Sequence, residues 1–172
     1  MPATTFAELA LPLFDQLYNF AHWLTRDPVE AEDLVQETYT KALRGFSGFE
    51  AGTNFRAWMF RILRNSFLTS RTGLKAFASG EEDLEALASD RPTPEQTLIL
   101  EADRDTVRQA LAQLPVAARE ILLLCDVEEM SYEEIAQVLA VPIGTVMSRL
   151  HRARKALRGH VLKRSEGVAH GV

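Results

Sequence analysis

Two stretches of the chain carry basic side chains and no acidic ones, which is the chemistry needed to contact a polyanion. Residues 51–72 hold four arginines, and residues 143–164 hold seven arginines and lysines. The 172-residue chain as a whole is acidic, with a formal net charge of −5. Because a solvated helix normally mixes both signs, two acid-free blocks in an acidic chain predict two separate polyanion contacts.

The second basic block lies in a predicted helix-turn-helix. Ser131-Tyr-Glu-Glu134 has the spacing of a capping box, in which the serine and the glutamate each satisfy a backbone N–H. The short helix that begins there should end before Ala140-Val-Pro142, and a longer helix should follow through about Leu157. The core stripe of the longer helix is Val146, Leu150, Ala153 and Leu157.

Polar and basic side chains lie off that stripe, where they could meet a DNA major groove. The candidates are Thr145, Met147, Ser148, His151 and Arg152, flanked by Arg149, Arg154 and Lys155. Arginine can bridge a guanine edge, and serine, threonine or lysine can hold phosphates. Met147 offers no hydrogen bond to a base, and His151 suits either a phosphate or a thymine methyl group. The alternative is a basic amphipathic helix that docks on a protein or is merely solvated.

The first basic block follows a helix with two distinct faces. Asp27-Pro28 predicts a helix start, and the helix should run to about Arg44. Its apolar residues recur at helical spacing and leave Asp33, Gln36 and Glu37 on another face.

A loop with glycines and phenylalanines, residues 45–53, should precede a helix from about Asn54 to Ser70. The apolar stripe predicted for this helix is Phe55, Trp58, Ile62 and Ser66. Arg61, Arg64, Asn65 and Arg71 are predicted on another side. Trp58 is therefore expected in the core rather than stacked on a base.

The expected fold class is all-α, because no segment alternates apolar and polar residues with a period of two. Two small helical domains are predicted, at residues 1–72 and 95–164, with residues 165–172 as a tail. Residues 73–94 contain two glycines, two prolines and an acidic cluster, which is typical of a flexible linker.

Nothing in the sequence predicts an enzyme, a cofactor or a metal site. The single cysteine, Cys125, lies in an apolar run and is expected to be buried, and the four histidines have no metal-ligand spacing with it. No run approaches the roughly 18 apolar residues of a membrane span, and the first residues lack a basic targeting region. The expected location is the cytoplasm, without membrane insertion.

Both halves resemble one protein family. The run MSYEEIAQVLAVPIGTVMSRLHRARKALR resembles the minus-thirty-five-reading domain of extracytoplasmic-function (ECF) sigma factors, which belong to group IV of the sigma-70 family. The runs DPVEAEDLVQETYTKALRGF and NFRAWMFRILRNSF resemble the minus-ten domain of the same factors. The resemblance covers about residues 8–72 and 95–160, in the family's order. It implies a dissociable subunit that binds core RNA polymerase and promoter DNA.

The resemblance also implies roles for residues of the first domain. Asp33, Gln36 and Glu37 match the family's docking surface for the clamp helices of the largest polymerase subunit. The loop that includes Phe49 and Asn54, together with Asn65, matches the pocket that captures a flipped minus-ten base of the non-template strand. Arg61 and Arg64 suit contacts to the phosphates of that strand.

In the second domain, the family's contacts to duplex DNA fall on Tyr132, Glu133 and the candidates of the longer helix from Thr145 to Lys155. The acidic linker resembles the segment that threads the polymerase active-site cleft, although a plain tether is an alternative. An anti-sigma factor is a further expected partner. A polymerase-independent helix-turn-helix regulator is the alternative function, and it leaves the first domain without a purpose.

Overall fold

The computed structural model describes residues 4–71 and 104–170, and the side chains of these ranges up to residue 164. Within these ranges the chain is helical and contains no strand, which confirms the predicted all-α class. The N-terminal unit contains α1 (Phe6–Ala10), α2 (Phe14–Thr25), α3 (Pro28–Gly45) and α4 (Phe55–Ser70). The C-terminal unit contains α5 (Arg104–Gln113), α6 (Val116–Leu122), α7 (Tyr132–Leu139) and α8 (Ile143–His170). The predicted linker at 73–94 lies outside the described residues.

Side-chain caps fix the starts of two helices where the sequence predicts them. The Asp27 carboxylate accepts hydrogen bonds from the backbone N–H groups of Val29 and Glu30, at 2.8 and 3.1 Å. At α7, Ser131 and Glu134 form the predicted reciprocal capping box, with both bonds at 3.1 Å. These bonds satisfy N–H groups that have no partner inside the helix.

The N-terminal unit is built on α2, α3 and α4, which pack on one another. Phe20 of α2 meets Phe60 of α4 at the centre, with ring centroids 5.3 Å apart. The buried side of α4 is wider than predicted, and its fully covered apolar side chains include Met59, Phe60, Leu63 and Phe67. Trp58 and Ile62 are only half-buried. The prediction missed this because α4 contacts α2 and α3 on one side and α7 on another.

The C-terminal unit is organised around α8, which contacts α5, α6 and α7. Val146, Leu150, Ala153 and Leu157 are buried as predicted. The predicted helix end near Leu157 is wrong, since α8 continues to His170. Val161 lies one turn beyond Leu157 and is 2% exposed, so the apolar stripe extends past the predicted end.

The chain after α6 makes a wide π-helical turn at Leu123–Val127. The Glu128 N–H donates to the Leu123 carbonyl at 2.9 Å, which is an i to i+5 bond. Cys125 lies in this turn and is half-buried rather than fully buried. Burial raises the pKa of its thiol above the ordinary value.

Replacing the α3 cap is expected to destabilise the protein. Asp27→Ala removes both hydrogen bonds to the first turn and should lower the free energy of unfolding by about 1 kcal/mol. Glu32→Ala is the matched control, since it removes an exposed negative charge near the same helix start without touching the cap. Urea denaturation of both variants checks this. Equal losses would show that charge near the helix start, and not the cap, stabilises α3.

Candidate nucleic-acid interface

The exposed side of α3 displays the polar residues that the sequence analysis singled out. Asp33, Gln36 and Glu37 are all exposed, while the opposite side of the helix is buried in the core. Glu37 forms an exposed ion pair with Lys41 at 2.9 Å, one turn along the helix. Such a pair contributes little to stability and is readily exchanged for another partner. The three residues therefore form a continuous polar surface, here called the α3 face.

An aromatic pair on α2 borders the α3 face, and sequence reasoning missed it. Phe14 is 49% exposed, and its ring stacks on Tyr18 with centroids 6.4 Å apart. Phe14 and Tyr18 line an open groove with Val35 and Gln36 of α3. Their spacing of four residues places both rings on one side of α2, which is the signal that could have found them.

Trp58 lines two cavities beside α4. One cavity, of about 270 Å³, is lined by Phe49, Asn54, Arg61 and other residues of the loop and helix, together with Gln137 of α7. The other, of about 430 Å³, contains Asn65 and is lined also by Lys41 and Ser66. Lys41 Nζ donates to Ser66 Oγ at 3.0 Å. The predicted loop residues and Asn65 thus lie in different cavities that share the Trp58 side chain as a wall.

Aromatic packing holds the Trp58 indole, the wall that the two cavities share, in place. Trp58 packs against Phe49 and Phe55, with ring centroids 5.0 and 5.5 Å away. Phe49 also stacks on Phe46 at 6.1 Å. Trp58 therefore both packs on the core and forms a cavity surface, whereas the sequence predicted a core role alone. An apolar wall beside polar groups is the arrangement that an unstacked base requires.

Arg61 and Arg64 occupy different environments, although the sequence predicted them on the same side of α4. Arg61 is exposed beside the first cavity. Arg64 is 4% exposed, and its guanidinium faces Glu120 of α6. The expectation that Arg64 is displayed is wrong for this arrangement, because the C-terminal unit covers it.

Some of the candidate DNA-contacting residues of α8 are exposed to solvent, and others are partly covered. Met147, Ser148 and His151 are exposed, as are Tyr132 and Glu133 of α7. Thr145, Arg152 and Lys155 are half-buried along the same stretch of helix. These residues share a surface at the helix-turn-helix, as predicted from their positions off the core stripe.

Two arginines of α8 depart from the predicted display. Arg149 is 5% exposed, so the expectation that it flanks an open face is wrong here. Arg154 is half-buried and pairs with Asp126 of the π-helical turn at 3.1 Å and with Cys125 Sγ at 3.3 Å. Although burial opposes it, the Asp126 carboxylate raises the pKa of Arg154. The π-helical turn positions this acidic partner.

Among the described residues, three glutamates of the C-terminal unit reach α4 or the residue that caps it. Glu120 makes a bidentate ion pair with Arg64, at 2.9 and 3.1 Å, and both side chains are almost fully buried. The Glu128 carboxylate accepts from Arg56 at 3.0 Å, and the Glu128 carbonyl oxygen accepts from the same guanidinium at 2.6 Å. Glu134 accepts from the side-chain amide of Asn54 at 2.9 Å.

The environments of Glu128 and Glu134 differ, and the pKa values of these two carboxyl groups shift in opposite directions. Burial raises the pKa of Glu128, and the hydrogen bond and charge of Arg56 offset part of that rise. Burial also acts to raise the pKa of Glu134, but hydrogen bonds from Ser131 and Asn54 outweigh it and lower the pKa. Glu134 is thus ionised in its double role as cap and inter-unit acceptor at neutral pH.

Sequence reasoning missed Glu120, Glu128 and Arg56. The available signal was the charged pair Arg119-Glu120 in the run VAAREILLLC, because charges inside an apolar helix are rarely buried without partners. The partner itself was not predictable, since Arg64 lies 56 residues away along the chain.

The described residues, 4–71 and 104–170, contain no group of three His, Cys, Asp or Glu side chains arranged to hold a metal ion. Within the same ranges, no helix is both long enough and apolar enough to cross a bilayer.

Comparison with known families places both units. Residues 12–76 match the family model for sigma-70 region 2, and residues 104–157 match the model for sigma-70 region 4. The chain belongs to the ECF sigma factors of RNA polymerase. Members of this family are transcription initiation factors. Both regions occur in one chain in the family's order, so nothing favours the polymerase-independent regulator.

Relatives of this sigma factor extend over most of its length. It is 37% identical to the ECF RNA polymerase sigma factor SigE of Mycolicibacterium smegmatis over 94% of its own chain, and it spans 63% of that relative. It is 32% identical to the RNA polymerase sigma factor YlaC of Bacillus subtilis, covering 89% of its chain and 90% of the relative. A solved structure of RpoE in complex with the anti-sigma factor NepR, from Bartonella quintana, is similar with a TM-score of 0.68. That match has 32% identity and covers 92% of this chain and 96% of the solved chain.

The Arg64–Glu120 ion pair is expected to couple the two units energetically. Arg64→Ala and Glu120→Ala should each destabilise the full chain, and the double variant should lose less than the sum, with a coupling of about 1–3 kcal/mol. The reason is that either single change leaves one charge without its buried partner. Urea unfolding of the four proteins gives the coupling. Arg64→Ala combined with Asp105→Asn, an exposed acid of α5, is the control and should be additive. Additivity of the Arg64 and Glu120 changes would contradict the pairing.

Proposed function

We propose that this sigma factor binds core RNA polymerase, directs it to specific promoters and stabilises the melted minus-ten strand by binding alone, without covalent chemistry. The observation that carries the proposal is that α3 buries one side in the core and displays Asp33, Gln36 and Glu37 on the other. A rigid helix with an exposed acid and amide surface suits docking on a helical partner with basic side chains. The match of residues 12–76 to region 2 supports this docking role.

The minus-ten role is assigned to the cavities around Trp58. Phe49 and the indole supply an apolar wall, and Asn65 and Asn54 supply amide groups that can bond a base edge. Arg61 is exposed beside the first cavity and is assigned to a strand phosphate. Arg64 is assigned the same role once the C-terminal unit no longer covers it.

The minus-thirty-five role is assigned to the displayed part of α7 and α8. Residues that point outward there include Tyr132, Glu133, Met147, Ser148 and His151. Arg152 is assigned to a base edge, and Thr145, Lys155 and Arg154 to phosphates. Arg154 must exchange Asp126 for a phosphate to do so. Arg149 is buried and is assigned a positioning role within α8 until the unit binds DNA.

An anti-sigma factor is proposed as a partner, and the cytoplasm as the place of action. The similar RpoE structure holds the anti-sigma factor NepR, which supports a partner of that kind here. Core polymerase and promoter DNA are cytoplasmic in bacteria, which supports the location.

Reversing the charge of the α3 face is expected to weaken polymerase binding without unfolding the chain. Asp33→Arg places a like charge opposite the proposed basic partner and should lower affinity for core polymerase at least about tenfold, or about 1.4 kcal/mol. Asp105→Arg makes the same charge change on α5 and serves as the control. Affinity is measured by fluorescence anisotropy of labelled full-length chain, with circular dichroism as the check on folding. Equal affinities for both variants would remove the docking role from the α3 face.

Loss of a base contact and loss of a phosphate contact on α8 should change the affinity for promoter DNA in different ways. Arg152→Ala should cost about 1–3 kcal/mol on the preferred promoter and flatten discrimination at one base position. Lys155→Ala should weaken all sequences alike and lower the salt slope by about one. The measurement is promoter binding by holoenzyme across a salt series, with every minus-thirty-five base substituted in turn. If Lys155→Ala alters base preference and Arg152→Ala does not, the two roles are reversed.

A further inference from the structure

We propose that the C-terminal unit is an internal competitor of the minus-ten strand, in which glutamate carboxylates occupy the groups of the N-terminal unit that would otherwise bind the strand's phosphates and a base edge. This inference rests on the proposed function, because Arg64 and Asn54 are minus-ten residues assigned above; it adds Arg56, of the same helix, as a further phosphate contact. Among the described residues, three carboxylates of the C-terminal unit accept hydrogen bonds from the N-terminal unit: Glu120 from Arg64, Glu128 from Arg56, and Glu134 from Asn54. The opposing residues are two arginines of α4 and the asparagine that caps its N-terminus.

The chemistry of these contacts matches that of a nucleic-acid backbone. A carboxylate, like a phosphate, accepts two parallel hydrogen bonds from a guanidinium, and Glu120 does so from Arg64 at 2.9 and 3.1 Å. The three glutamates come from three successive places in the C-terminal unit: α6, the residue after the π-helical turn, and the first turn of α7. They thus present a row of negative charge along α4 from Asn54 to Arg64.

The same contacts cover the assigned strand site physically. Gln137 of α7 lines the cavity that contains Phe49, Asn54 and Arg61. Arg64 is 4% exposed under Glu120, so no phosphate can reach it while the units are closed. A single strand must therefore displace the C-terminal unit before it can occupy this site.

The polar part of the contact between the two units is suited to reversal, although apolar side chains of both units also pack together. Separating a buried ion pair costs less than separating an apolar contact of equal size when each charge gains water or another partner. When the two units separate, the Glu120 carboxylate is hydrated by water, and the Arg64 guanidinium can bind a phosphate of the strand. Arg119, beside Glu120, is 5% exposed and its Nε has no hydrogen-bond acceptor among the described residues. Opening would hydrate that group as well.

The test measures binding of single-stranded DNA to the full chain in the absence of polymerase. The probe is the fluorescein-labelled non-template strand of a promoter that the holoenzyme melts, and oligothymidylate of equal length is the sequence-independent comparison. Glu120→Gln with Glu128→Gln removes two of the proposed phosphate mimics. Because the closed state dominates in the natural chain, weakening it should let this variant bind the probe about tenfold more tightly. Asp105→Asn with Glu129→Gln makes the same change in net charge at exposed positions and should not bind more tightly.

The outcomes separate this inference from the proposed function. An equal gain by the control pair would overturn the inference, because net charge alone would explain it. No gain in the Glu120/Glu128 variant would also overturn it, whereas holoenzyme whose strand capture is lost on Asn65→Ala would still support the minus-ten assignment. A gain that survives Asn65→Ala and Arg61→Ala would contradict the minus-ten assignment itself.

Discussion

The buried ion pair between Arg64 and Glu120 is the interaction on which the arrangement of the two units depends. Arg64 is fixed by α4, which is packed on α2 and α3, and Glu120 is fixed by α6, which is packed on α8. Both side chains are almost fully buried, so neither charge can remain in the interface without the other. The neighbouring contacts of Glu128 with Arg56 and of Glu134 with Asn54 depend on the same docking of the C-terminal unit against α4.

This ion pair and its neighbours explain how an acidic chain can carry basic surfaces that do not bind every polyanion. Arg56 and Arg64 of α4 have acidic partners within the chain, and Arg154 of α8 has Asp126. A polyanion must therefore compete with internal carboxylates before it is bound. Such competition weakens binding of the free chain to nucleic acid at large, and it leaves binding to depend on a partner that separates the units.

Local features of the fold were predictable from the sequence, and contacts between the units were not. The Asp27 cap, the Ser131–Glu134 capping box and the core stripe of α8 depend on residues a few positions apart, so spacing alone identifies them. The α3 face followed in the same way. The burial of Arg64 and Arg149, and the half-exposure of Trp58, depend on what packs against each helix from elsewhere in the chain. The π-helical turn could not be predicted from spacing, because its apolar residues have the spacing of an ordinary helix.

The most direct test of this account is the distance between the units in the free chain and in the holoenzyme. Spin labels at Val29 and Lys163, both exposed and placed one in each unit, report it by pulsed electron resonance in a Cys125→Ser background. The account predicts one narrow distribution for the free chain and a longer distance when the chain binds core polymerase and a melted promoter. It also predicts that Glu120→Gln with Glu128→Gln populates the longer distance without polymerase. The same distance in the free chain and in the holoenzyme would contradict the claim that the units must separate.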